Sequence, residues 1–176
     1  MHSTIGIDVN APAELVFRLA RDVERWPVLL PHYARADVIE RHADGALTAT
    51  FVARRPLPGP LRPLGLGLPV AWRSRTWNEP ETLRLRFHHV GGVTRGMDVT
   101  WRIEATSAGC RVSIDHDFRR TLPIPVLGGL LGDALLPAFV DRFFTRPIAG
   151  RTLATFKALA ESLDTSASAA SAHPST

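Results

Sequence analysis

The sequence is poor in everything that would cross-link it or anchor it in a bilayer. Its 176 residues include one cysteine, Cys110, so no disulfide can close within the chain and a cysteine-based zinc site lacks ligands. No apolar run reaches the ~18 residues that a membrane-spanning helix needs. The opening MHSTIGIDVN has no basic start followed by an apolar stretch, so no signal peptide is expected and the cytoplasm is the expected location. Lysine is nearly missing too. Lys157 stands alone among 21 basic residues, and the arginines are scattered among 17 acidic residues for a net charge of +4. Without a basic stripe or a recognised motif, nucleic acid is not an expected partner. The glycines of GGLLG (128–132) and GLG (65–67) have neither phosphate-loop nor dinucleotide spacing, and neither G-x-S-x-G nor H-E-x-x-H occurs.

What is present is ordinary globular material, 45% hydrophobic and 22% charged. It predicts one domain over 1–163 and a small, polar, disordered tail over 164–176. TIGIDV (4–9) alternates like a strand. APAELVFRLARD follows with a helical face of Val16, Leu19, Ala20 and Val23, and VERWPVLLP predicts a second short helix ending at Pro31. From there the period changes to two. ADVIER and ALTATFVARR form a hairpin around the turn HADG, with Gly45 at the tight position. Residues 56–69 are proline, glycine and leucine, too irregular for an element and too apolar for a solvated linker, so they read as a loop over something hydrophobic. Four more strands follow: VAWRSRTW, TLRLRFHHV, MDVTWRIEA and CRVSIDHDFRR. Their alternation puts Leu85, Phe87 and His89, Met97, Val99 and Trp101, and Ile114, His116 and Phe118 on one face, with arginines and carboxylates on the other. Cross-strand charge pairing then accounts for the arginines without a partner. Residues 133–163 repeat apolar positions at helical spacing, bent or divided by Pro137 and Pro147. The expected fold class is α+β, a seven-stranded curved antiparallel sheet wrapped around a long C-terminal helix. One helix about ~10 Å wide does not fill such a concavity, so a cavity is expected.

This order of elements resembles the START-like, or helix-grip, superfamily. Within it the chain looks most like the polyketide cyclase/dehydrase proteins, the aromatase/cyclases of aromatic polyketide assembly, and it also resembles coenzyme Q-binding proteins. The stretch NAPAELVFRLARDVERWPVLLPHYARADVIER, the trio Trp72-Arg73-Ser74, and MDVTW ending at Trp101 carry the resemblance, which spans residues 4 to about 160. It implies a pocket lined by Trp26, Tyr33, Trp72, Ser74 and Trp101, with Tyr33 at the mouth. It does not supply the family's pocket arginine, whose place is taken by Thr76. Arg73 and Arg75 have the opposite parity.

Among the inward positions, His116 and His89 are the candidates for chemistry. A neutral imidazole in an apolar pocket is suited to taking a proton from a methylene between two carbonyls. Equally, each reads as a core histidine bonded to a backbone carbonyl. Tyr33 and Ser74 would hydrogen-bond carbonyls, and Trp26, Trp72, Trp101, Thr76, Phe87, Phe118, Met97 and Phe51 would bind the substrate. No metal and no cofactor is required. What the resemblance implies is aldol cyclisation and dehydration of a poly-ketone carried by an acyl carrier protein, drawn to Arg25 and Arg35. The other reading is a non-catalytic carrier of a quinone, isoprenoid or other lipid. Monomer and homodimer are both open.

Overall fold

Period-two alternation dominates the chain, and the computed structural model, which describes residues 2–56, 67–92, 94–118, 142 and 145–171, turns that alternation into sheet. Strand β1 (His2–Val9) leads to α1 (Ala13–Arg21). A 3-10 turn (Val23–Arg25) then runs into α2 (Trp26–Leu29). Strands β2 (Tyr33–Arg41), β3 (Leu47–Pro56), β4 (Gly67–Glu79), β5 (Arg84–Gly92), β6 (Met97–Thr106) and β7 (Gly109–Phe118) follow, and α3 (Arg146–Ser171) comes last. The strands make one antiparallel sheet in the order β1-β7-β6-β5-β4-β3-β2. Since β1 and β2 lie at opposite edges, the intervening α1 and α2 must cross the sheet's full width, and that crossing delivers Trp26 to the middle of the concave face.

Local chemistry explains the elements. In α1, Glu14 occupies the first turn and Arg18 and Arg21 the last, matching the helix dipole at both ends. Its buried face is Ala13, Val16, Phe17 and Ala20, with Leu19 partly buried against the same core; Phe17 is the addition to the expected face. Gly45 has φ +82° in the β2–β3 turn, as the HADG sequence demands. On the convex face the expected charge pairs form between neighbouring strands. Arg102 meets Asp115 at 2.9 Å, Arg111 meets Asp8 at 3.0 Å, His88 meets Asp98 at 2.7 Å, and Arg86 meets Glu79 at 3.0 Å.

Helix α3 buries Ile148, Ala149, Thr152, Leu153, Phe156 and Ala160, a stripe at helical spacing, against β1, α1 and β3. Pro147 is the second residue of the helix. The helix does not end at Leu163 but runs on to Ser171, a correction to the expected tail. The physical reason is local. The Thr165, Ser166 and Ser171 hydroxyls donate to carbonyls four residues back, and the intervening alanines are strong helix formers. The GGLLG stretch, the start of the 133–163 stretch apart from residue 142, and residues 57–66 of the expected loop lie outside the described residues; Gly67–Pro69 open β4 instead. Among the described residues, no helix is long and apolar enough to cross a membrane.

The β6–β7 turn supplies a stability test. Gly109 has φ +140°, and a Cβ there would lie 2.2 Å from the Val9 carbonyl oxygen and 2.8 Å from the Ala11 nitrogen. Gly109→Ala is therefore expected to cost about 3 kcal/mol, through backbone strain and a clash with main chain that has no room to yield. Urea denaturation checks this, with Gly45→Ala as the comparison: its φ is positive but nothing lies within 4 Å, so its cost should be smaller.

Candidate active site

Trp26 organises the concave face. Its indole N–H donates to the Ala20 carbonyl at 3.0 Å, which satisfies its one polar atom and leaves the ring free for apolar packing. Ring centroids of Tyr33, Phe51, Phe87, Trp101 and Phe156 lie 5.0, 5.5, 5.8, 5.9 and 6.2 Å from it. Trp72 is stacked between Phe51 at 5.4 Å and His89 at 5.9 Å, and is only partly buried.

The rings line a partly open cavity of about 80 Å³ whose lining includes Trp72, Phe87, His89, Met97, His116 and Thr152. A dry cavity of ~150 Å³ accommodates benzene, so the expected roomy interior is corrected: the space left between the aromatic rings is smaller than that. A poly-ketone fits only if side chains of the wall give way, and Trp72 is the partly exposed indole among those lining it.

Both candidate histidines face this cavity, as their parity requires. His116 on β7 is 5% exposed and is paired in register with Val99, which is paired in turn with Phe87 on β5. His89 lies two residues along β5 from Phe87 and bonds the Thr94 hydroxyl through Nδ1 at 2.7 Å. Burial pushes the His89 pKa down to about 3, with help from His116 and His88. It is thus a neutral ring at ordinary pH and a poor proton acceptor, better suited to hydrogen bonding than to base catalysis. Asp115 turns to the other face of the sheet, where it accepts from Thr4 at 2.6 Å and pairs with Arg102, so it does not orient His116.

Trp26, Tyr33, Trp72, Trp101, Phe51, Phe87 and Met97 all line the cavity as expected, whereas three other candidates do not. Ser74 is fully buried, but its single hydroxyl hydrogen is shared between the Arg75 and His88 carbonyls, each 3.1 Å away, and so is committed to the main chain. Thr76 and Phe118 are buried in the core away from the lining. Tyr33 is also corrected: it is interior, 6% exposed, not at a mouth. Burial raises its phenol pKa well above the ordinary value, an effect that the nearby Thr152 partly offsets.

Neither strand-β4 arginine enters the cavity. Arg73 and Arg75 are exposed, Arg75 pairing with Asp44; the bulge in this region lies on β5, at Val90, and leaves the parity of Arg75 unchanged. The buried arginine is Arg55, 8% exposed, which shares the inward parity of Phe51 and Ala53. That alternation was readable in ALTATFVARR. His32 and Thr152, joined at 2.9 Å, were also missed.

A seven-stranded sheet folded over one C-terminal helix, with an aromatic-lined cavity faced by two histidines, defines a helix-grip fold. The chain belongs to the family described as "Polyketide cyclase / dehydrase and lipid transport", whose model matches residues 9–144. A protein of Streptomyces cyaneus named "Putative polyketide cyclase" is 31% identical over 126 residues, covering 71% of this chain and 77% of that one. Among solved structures, the Zhui aromatase/cyclase of a Streptomyces species superposes with a TM-score of 0.68 at 19% identity, covering 92% of this chain and 93% of that one. The di-domain ARO/CYC BexL from the BE-7585A biosynthetic pathway gives a TM-score of 0.62 at 27% identity, covering 89% of this chain and 45% of that one.

Proposed function

We propose that the protein takes a poly-ketone into this cavity and promotes its aldol cyclisation and dehydration. The observation that carries the reading is the pair of histidines turned into a mostly apolar, tryptophan-lined interior, in a chain of this family. His116 removes a proton from a methylene flanked by two carbonyls. The resulting enolate carbon bonds to a second carbonyl carbon, whose oxygen takes the proton back from the imidazolium. Loss of water then gives the ring double bond. His89, neutral at working pH, contributes a hydrogen bond. Tryptophan walls hold the reacting carbons together and exclude water, so most of the acceleration comes from conformation. An acyl carrier protein delivers the chain, its acidic surface meeting Arg25 and Arg35.

A second reading, carriage of a lipid-like guest without reaction, is supported by the lining itself: among the described residues it holds no arginine or lysine to polarise a carbonyl. Incubation with a carrier-bound poly-ketone separates the two. For a cyclase, His116→Ala should slow formation of the cyclised product by ~10²-fold or more, whereas Ser74→Ala should leave the product distribution unchanged because its hydroxyl is bound to the main chain. Identical products and rates for wild type, His116→Ala and His89→Ala would favour carriage.

A further inference from the structure

His89 and Thr94 meet at the turn that joins β5 to β6, and both line the cavity. Main-chain bonds fix the two residues: the Gly96 N–H donates to the His89 carbonyl at 2.7 Å, and the Met97 N–H donates to the Thr94 carbonyl at 3.0 Å. The His89 ring is set by stacking on Trp72, at 5.9 Å and 25°, and by the Thr94 hydroxyl, 2.7 Å from Nδ1. Both side chains are buried.

His89 is a neutral ring at ordinary pH, with one N–H and one bare nitrogen, and a threonine hydroxyl has a single hydrogen. Two arrangements satisfy the contact between them. With the proton on Nδ1, the Thr94 hydrogen would need another acceptor, yet among the described residues that hydroxyl's one hydrogen bond is to His89. A buried donor left without an acceptor is costly. With the hydroxyl donating to Nδ1 instead, its hydrogen is used and the ring proton sits on Nε2. Since Thr94 occupies Nδ1, Nε2 is the nitrogen left to a guest.

We infer that Thr94 is a positioning residue that holds His89 in its Nε2–H form, so that the cavity presents a hydrogen-bond donor to the oxygen of the carbonyl under attack. This rests on the poly-ketone reading of the cavity and deepens it. Negative charge grows on that oxygen as the carbon–carbon bond forms, and a neutral N–H already aimed at it stabilises the charge without a buried cation. His89 thereby takes the polarising role for which the lining, among the described residues, holds no arginine or lysine. His116 remains the base.

Two probes of one shape test this with the full-length protein: cyclopentanone, and methylenecyclopentane, in which a methylene group replaces the oxygen. Met97 lines the cavity and is one of 2 methionines, so its labelled methyl resonance follows binding of either probe. The ketone-to-alkene affinity ratio is compared across variants, so that the difference in hydration cancels. In His89→Phe the ratio should fall roughly fivefold, the worth of one hydrogen bond. Thr94→Val keeps the side chain's shape and should lower it about two- to fivefold, with Thr94→Ser restoring it. Loss of packing alone would move both affinities and leave the ratio where it was. Isotope labelling of the histidine nitrogens reads the proton directly, His89 being assigned by its absence from His89→Phe. Nε2 should carry the hydrogen, and the Nδ1 resonance should move in Thr94→Val and return in Thr94→Ser. A hydrogen on Nδ1 in the wild type, or an unchanged ratio in Thr94→Val, would overturn the inference while leaving the cyclase reading intact. Failure of the wild type to bind either probe would overturn both.

Discussion

Trp26→Ala is expected to cost the fold about 3–5 kcal/mol, the range for removing a large buried aromatic side chain, which is a third or more of a typical domain's stability. The indole is 3% exposed and contacts rings from four strands and α3. Its removal leaves a void that five neighbours cannot collapse into together, since each is held by a different element. It also strips the Ala20 carbonyl of its donor, adding the cost of an unsatisfied buried group at the end of α1. Trp26→Phe keeps much of the ring and loses only the N–H and the outer edge, so it should recover more than half of the loss. Trp72→Ala, at a partly buried position, should cost less and widen the cavity, and it should bind larger guests more tightly than the wild type does. Urea denaturation followed by circular dichroism reads all three. A Trp26→Ala variant no less stable than Trp77→Ala, whose ring lies on the convex face at 37% exposure, would show that the aromatic cluster does not hold the concave face together.

The fold was legible because a one-sided sheet writes its two faces in alternation. Leu85, Phe87 and His89 against Arg84, Arg86 and His88 needed no knowledge of the partner strand, and the same parity turned His116 inward. Parity says which face a side chain takes but not what its polar atom finds there. Ser74 is inward as expected, yet its hydroxyl is taken by the His88 carbonyl beside the bulge at Val90, and a bulge of that kind leaves no mark in the sequence. His32 has no alternation to betray it because it precedes β2, and its burial comes from α3, more than a hundred residues later. Cavity size was the least readable quantity. It is a small difference between the volume under the sheet and the summed volume of the rings filling it, and one rotamer changes it by as much as its whole value.

Acid should unfold this protein earlier than its carboxylates alone would require. His32 and His89 are both buried as neutral rings. Burial and the nearby Arg151 charge lower the His32 pKa to about 4, and burial with two neighbouring histidines lowers that of His89 to about 3. In the unfolded chain both return to 6.5, so between pH 6.5 and about 4 the unfolded state binds more protons and stability falls as pH falls. The contribution is fully present above pH 6.5, is lost progressively below it, and levels off once each ring protonates within the fold. From pH 7 to pH 5 each histidine should remove about 2 kcal/mol, roughly 4 kcal/mol for the two. The lowered carboxylates Asp44, Glu79 and Glu161 act mainly below pH 5, since their ordinary values are already 3.8 to 4.5. Replacing one histidine by glutamine should therefore halve the slope of unfolding free energy against pH between 5 and 6.5, and replacing both should flatten it. A wild-type slope no steeper than that of the double variant would mean that these rings already exchange with water in the folded state, and His89 would then be free to act as a base beside His116.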